Sequence, residues 1–191
     1  MPSRRSLIRQ TLLAGPFLSQ AFMNPPAVCG QTPPDEQWYW YPGHTLTIKG
    51  DGKVTGNVTT WILVENSPHE GVPFHKHLHE DESFYVIDGE FEITIGDVTI
   101  MGVPGTFAFG PRNLPHRWTN IGNGRGRLLN VFNPSGIENY FLAAAIPIKG
   151  PTDNPHIDVA ELQARIAPLR EKFGIVRTGG LKFPVAIPVS K

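Results

Sequence analysis

The sequence predicts an all-β fold, a double-sheet jelly roll or barrel followed by helices at the C-terminal end. Short β-rich runs succeed one another from Thr45 to Pro134, and glycine, proline and asparagine separate them. No helical period long enough to join parallel strands interrupts that region. The runs are TLTIK, NVTTWILVE, SFYVID, EFEITI, DVTIM, TFAF, HRWTN and RLLNVF, with IDGE, IGD and IGNGRG as the tight turns between neighbours.

Two helices follow. GIENYFLAAAI (136–146) is one; in IDVAELQARIAPLREKFGI (157–175), Val159, Leu162, Ile166, Leu169 and Phe173 recur at helical spacing behind Asp158 as a cap. Pro168 removes an amide donor and is expected to kink or end this second helix. Its apolar stripe is expected to pack on the barrel and its other faces to carry no chemistry. The chain thus divides into an export signal and proline-rich linker (1–36), a barrel (37–150) and a C-terminal helical extension packing on the barrel (151–191).

Composition narrows the partners. The 191 residues hold 17 Lys plus Arg and 17 Asp plus Glu, so no net field favours nucleic acid or an anionic membrane, and a small molecule is the expected partner. The single cysteine, Cys29, excludes an internal disulfide framework and a cysteine-based zinc cluster. The first 34 residues lack Asp and Glu, and SRRSLIR (3–9) resembles a twin-arginine export signal, with Leu7 and Ile8 as the apolar pair and Arg9 as the closing base. A mitochondrial-type presequence shares this composition. Gly15 and Pro16 interrupt the apolar run that follows, which is too short to span a membrane stably. Cleavage is expected near Ala21 or Cys29, giving a periplasmic or extracellular protein; without it the protein would be cytoplasmic.

The densest chemistry lies in PFHKHLHEDESFYVIDGE (73–90). Side chains at i and i+2 of a strand share a face, so His75 and His77 point together, and a hairpin would fold Glu82 back beside them. Three such groups on an interior face are costly to bury without a partner, and a divalent cation is the natural one. His116, opening HRWTN after a proline-rich turn, is a fourth candidate. His79, Lys76, Glu80 and Asp81 read as turn or solvent-facing residues, and His44, His69 and His156 as solvated ones. Arg112 and Arg117 flank His116 and read as surface charges.

The two stretches together resemble the paired motifs of the cupin superfamily. Gly71, His75, His77, Glu82 and Gly89 resemble the first motif; Gly105, Pro111, His116 and Asn120 resemble the second. Gly71 stands closer to His75 than is usual, and Asn113 replaces a glycine, as a residue that tolerates the left-handed conformation can. The FYVIDGE hairpin, the FGPRNLPHRW turn and the trailing KFGI helix look most like bacterial monocupins related to quercetin 2,3-dioxygenase.

The resemblance implies His75, His77, Glu82 and His116 as ligands of one divalent transition metal, with iron, manganese, nickel, cobalt, copper and zinc all compatible with the residue types. It implies an enzyme that cleaves the ring of a flavonol-like or related enol or phenol substrate with O2, with Glu82 as ligand and proton acceptor. Phe84 and Val86 share the face of Glu82, Trp118 shares that of His116, and Phe107 and Phe109 share one face of their strand; these five are the candidate substrate contacts. Two other classes fit the motifs: a metal-dependent lyase, isomerase or decarboxylase acting on a small acid, betrayed by an arginine-lined cavity, and a non-catalytic cupin binding a small ligand. A homodimer paired through sheet edges is expected by analogy with the family.

Overall fold

The computed structural model describes residues 36–179, so the export-signal reading and the last residues of the chain lie outside it. Twelve strands form two antiparallel sheets. β1 (Trp38–Tyr41), β2 (His44–Gly50), β3 (Thr60–Asn66), β5 (Asp81–Asp88), β8 (Phe107–Gly110), β10 (Gly126–Asn133) and β11 (Ile146–Ile148) make the larger sheet, ordered β11-β1-β2-β3-β10-β5-β8. β4 (His75–His77), β6 (Phe91–Ile95), β7 (Val98–Gly102), β9 (His116–Asn120) and β12 (Ile175–Arg177) make the smaller, ordered β12-β4-β9-β6-β7. This is a jelly-roll-like all-β fold.

Alternation builds the interior. In β5, Glu82, Phe84 and Val86 are buried while Tyr85 and Ile87 are exposed, and β10 follows the same period, burying Leu128, Asn130 and Phe132. Leu46, Ile62, Val64, Phe84, Val86, Phe91, Ile93 and Leu128 fill the space between the sheets. Gly89 turns β5 into β6 at φ 85°, where a Cβ would lie 2.7 Å from the Gly126 Cα. Only glycine suits both demands.

The helices depart from expectation in detail. α2 spans Glu138–Ala144, and Ile146 has already left it for β11. α3 spans Val159–Lys172, capped by Asp158, whose Oδ1 accepts the amides of Ala160 and Glu161. Pro168 neither ends it nor stops it short: the helix runs on to Lys172. Leu162 and Ile166 hold it in the core. Ile175, expected at its end, instead begins β12 after Gly174 at φ 69°.

A short helix, α1 (Gly52–Thr55), and a buried carboxylate were not foreseen. Glu138 accepts from Gly52 N (2.9 Å), Gly136 N (2.7 Å) and Thr60 Oγ1 (2.5 Å), tying α1 and β3 to the start of α2. Among the described residues no helix is long and apolar enough to cross a membrane.

Candidate metal centre

The two sheets meet over one polar cluster. His75 and His77 project inward from β4, and His75 lies directly opposite His116 of β9 in the register. Opposed residues share a face, so three imidazoles stand together on the smaller sheet. Glu82 reaches them from β5 of the larger sheet. One ligand atom from each of the four residues lies within 4.8 Å of the others. Two ligands at roughly 2.1 Å from a shared ion are at most about 4.2 Å apart, so only a small contraction separates this arrangement from a coordination shell.

Each side chain is aimed by its neighbours. His75 Nδ1 is 3.0 Å from the Pro73 carbonyl and His116 Nδ1 is 3.0 Å from the Leu114 carbonyl, so both rings turn Nε2 to the centre. The Leu114 contact depends on the turn before β9, where Asn113 takes φ 68°. Asn130 Nδ2 donates to Glu82 Oε1 at 2.7 Å, and His116 Nε2 donates to Oε2 at 2.9 Å.

The electrostatics follow from that packing. Burial acts to raise the Glu82 pKa, but the hydrogen bond from His116 and the nearness of His77 outweigh it and hold the carboxylate well below its usual range. Burial likewise acts to lower the pKa of His116, and the Glu82 carboxylate reverses this. His75, lacking a carboxylate bond of its own, is pushed well down by burial and by the two other imidazoles.

The donor set fits a divalent cation. His77 Nε2 lies 3.3 Å from Glu82 Oε2 but out of line for a hydrogen bond, and neither of its buried ring nitrogens has a hydrogen-bonding partner. A fully buried imidazole left so costs free energy unless something else takes its lone pair. A metal at the centre would do so, using nitrogen and oxygen donors alone.

His75, His77 and Glu82 of the cluster form the floor of a cavity. Tyr41, His44, Trp118, Phe132, Tyr140 and Phe141 supply aromatic walls, and Arg170 and Arg177 complete them. Of the five expected substrate contacts, Trp118 lines this space. Phe84 and Val86 face inward but lie in the core behind it, with the Phe84 ring 5.6 Å from that of His116 and 5.8 Å from that of Trp118.

Phe107 and Phe109 must be corrected. They oppose Tyr85 and Ser83 in the register and so share the outer face, 63% and 50% exposed, while Ala108 and Gly110 face in.

Other expectations change too. His44, read as solvated, is buried on the cavity wall with no hydrogen-bonding partner on either ring nitrogen, and burial lowers its pKa to about 4. Glu80, read as solvent-facing, is buried with Oε2 3.7 Å from His77 Nδ1, and its pKa is raised by that burial. α3 reaches the cavity as well as packing on the barrel: Arg170 lines it, continuing the buried Leu162–Ile166 row at spacing four. That spacing was the available signal. His79 stays exposed in the turn between β4 and β5, outside the cluster.

Comparison with known proteins bears on the family and the fold. Residues 62–132 match the family model described as Cupin domain. Over 80 residues the chain is 25% identical to quercetin 2,3-dioxygenase of Bacillus subtilis, a match covering 42% of this chain and 24% of that protein, so the chain spans about a quarter of that relative's length. A Thermotoga maritima structure described as a predicted oxalate decarboxylase superposes with a TM-score of 0.51 at 17% identity, covering 56% of this chain and 98% of that one. KdgF from Halomonas sp. gives a TM-score of 0.49 at 18% identity, covering 53% and 89%. The double motif, the jelly-roll-like sheets and the matched segment agree in marking residues 62–132 as a cupin domain.

Proposed function

We propose that this cupin is a metal-dependent dioxygenase that opens the ring of an enol- or phenol-bearing aromatic substrate with O2. The observation that carries the reading is an ionised, buried Glu82 held among three imidazoles at the foot of an aromatic cavity. His75, His77, Glu82 and His116 would hold the metal, which when bound would supply Lewis-acid activation of an enol or phenol oxygen and redox access to dioxygen.

The chain's own residues do the rest. Glu82 accepts the proton of the substrate hydroxyl at a carboxylate oxygen. Asn130 keeps that carboxylate from rotating away. Trp118, Phe132 and Phe141 form apolar wall that excludes water and stacks against an aromatic ring. A modest match to a quercetin dioxygenase supports the choice of reaction.

A specific observation favours a second reading, an enzyme acting on a small acid: two arginines stand in the cavity wall. Elemental analysis of untagged protein, then oxygen-uptake assays against flavonols and simple acids, separates the two. Oxygen consumption coupled to flavonol loss is expected. A metal-loaded protein that consumes none with any flavonol tested overturns the dioxygenase reading.

Two further parts of the proposal concern the whole protein. Export rests on SRRSLIR, and N-terminal sequencing of native material should find the first 29 or so residues removed. Homodimerisation rests on β8, an edge strand that presents Phe107 and Phe109 outward. Light scattering after gel filtration should return twice the 21.1 kDa chain mass, less any cleaved signal.

A further inference from the structure

The cavity has two charged faces of opposite construction. On the floor, three imidazoles surround a carboxylate. On the wall, Arg170 of α3 and Arg177 of β12 stand near each other, and among the described residues neither forms a salt bridge.

Their placement is built in. β12 pairs with β4 so that Ile175 opposes His77, Val176 opposes Lys76 and Arg177 opposes His75. Arg177 therefore shares the inward face of a proposed metal ligand, while Val176 points out. Arg170 sits one turn past buried Ile166, and its Nη1 donates to Gln163 Oε1 at 3.1 Å, which leaves other guanidinium hydrogens to spend.

Two buried phenols complete the group. Tyr41 and Tyr140 join their hydroxyls at 2.5 Å, with Arg177 set against Tyr41 and Arg170 against Tyr140. Burial and the neighbouring Arg170 lower the Arg177 pKa, as two half-buried like charges should. Paired guanidinium groups that form no salt bridge among the described residues are unfavourable in an aromatic cavity, and a bound anion relieves this; a carboxylate matches the planar fork of arginine in two parallel bonds.

We propose that Arg170 and Arg177, with the hydroxyls of Tyr41 and Tyr140, form a carboxylate subsite, and that the substrate is an aromatic acid whose other end reaches the His75, His77, Glu82 and His116 cluster. This rests on the reading that the cavity is the substrate site, and it holds for either reaction class. The wall then selects ionised acids over neutral aromatics of the same shape.

Calorimetric titration of the full-length protein with benzoate and with benzamide, each with and without manganese(II), tests it. Benzoate should bind at least about tenfold more tightly than benzamide in both states, and less tightly as sodium chloride is raised. Arg170→Gln and Arg177→Gln should each cost benzoate about tenfold and leave benzamide unchanged, with Arg170→Lys recovering part of the loss.

Equal affinity for the two probes, no binding of benzoate, or benzoate binding that needs the metal and survives both substitutions would each overturn the subsite. If Arg177→Gln fails to fold, Arg170→Gln and the wild-type ratio of the two probes still decide. The assay involves no turnover, so absent oxygen uptake sinks the dioxygenase reading alone, and capture of benzoate by the metal alone sinks only the subsite.

Discussion

The floor and the wall of the cavity are built by different means. The floor comes from β4, β5 and β9, strands whose side chains alternate and whose neighbours are fixed by the barrel. The wall borrows from elements outside the double motif: Tyr41 and His44 from the first strands, Tyr140 and Phe141 from α2, Arg170 from α3 and Arg177 from β12. On the floor, His75, His116 and Glu82 each have a hydrogen-bonding partner. On the wall, among the described residues, His44 has none and the arginines form no salt bridge. The difference suggests that the floor is made to hold a cation in one geometry and the wall to be completed by whatever enters.

The largest way to break this comparison is at the floor. Glu82→Gln keeps the shape of the side chain but removes its charge, leaving a weak ligand and a far poorer base. Turnover of the oxidised substrate should fall by at least about 100-fold, the lower end of what a positioned general base contributes. Elemental analysis beside oxygen uptake shows whether the loss is of metal or of proton transfer. Activity within tenfold of wild type would remove Glu82 from the chemistry.

How much of this could be read from the chain differs between the two regions for a physical reason. All eight foreseen strand runs formed, because alternation and turn residues are local signals. Strand period placed His75 and His77 together. Glu82 joins them from the facing sheet rather than by the expected hairpin, since β4 and β5 lie in different sheets, and His116 joins through the β4–β9 pairing. The same parity misled for Phe107 and Phe109: period two says that they share a face, but only their pairing with Tyr85 and Ser83 says which. His44 and Arg177 were illegible because what buries them comes from far along the chain. For Arg177 it is the β12–β4 pairing, formed across about 100 residues. Arg170 was half legible, since its spacing from Ile166 placed it on the buried row.

The next effect sharpens the contrast between partnered and unpartnered histidines. The folded-state pKa of His44, about 4, lies below the ordinary 6.5, so between these values the unfolded chain binds the proton more readily. Stability linked to His44 is therefore complete above about pH 6.5 and is lost as pH falls toward 4. By the usual conversion the loss is on the order of 3 kcal/mol. His44→Phe keeps the ring contacts with Tyr41 and Trp118 but cannot titrate. Urea unfolding of chelator-stripped protein at pH 7.5 and 4.5 should show a smaller fall for the variant than for wild type. An equal fall would mean that His44 is not held neutral.

A smaller effect is expected at Trp118, where floor and wall meet. Its indole Nε1 donates to Asn66 Oδ1 at 3.3 Å, and its ring lies 6.3 Å from that of His75. Trp118→Phe trims apolar contact that the substrate makes before and during reaction alike. KM should rise a few-fold with kcat held within about twofold. A fall in kcat at unchanged KM would place Trp118 in the reacting geometry instead.

The smallest expected effect separates the arginines by position. Arg112 adjoins the second motif and is the natural candidate if charge near His116 attracts the substrate. It is instead exposed and already satisfied: Nε and Nη2 donate to the two carboxylate oxygens of Asp81 at 3.0 and 2.9 Å, and its backbone amide donates to Oδ1 at 2.8 Å. That contact lowers the Asp81 pKa to about 2. Exposed ion pairs of this kind contribute little to stability, so Arg112→Gln should leave the melting temperature within about 2 °C of wild type. Benzoate affinity should stay within about twofold, against the tenfold loss expected at Arg170 and Arg177. Should Arg112→Gln weaken benzoate as much as they do, the attraction would be a diffuse field around the opening, and the wall arginines would lose their special claim to the carboxylate.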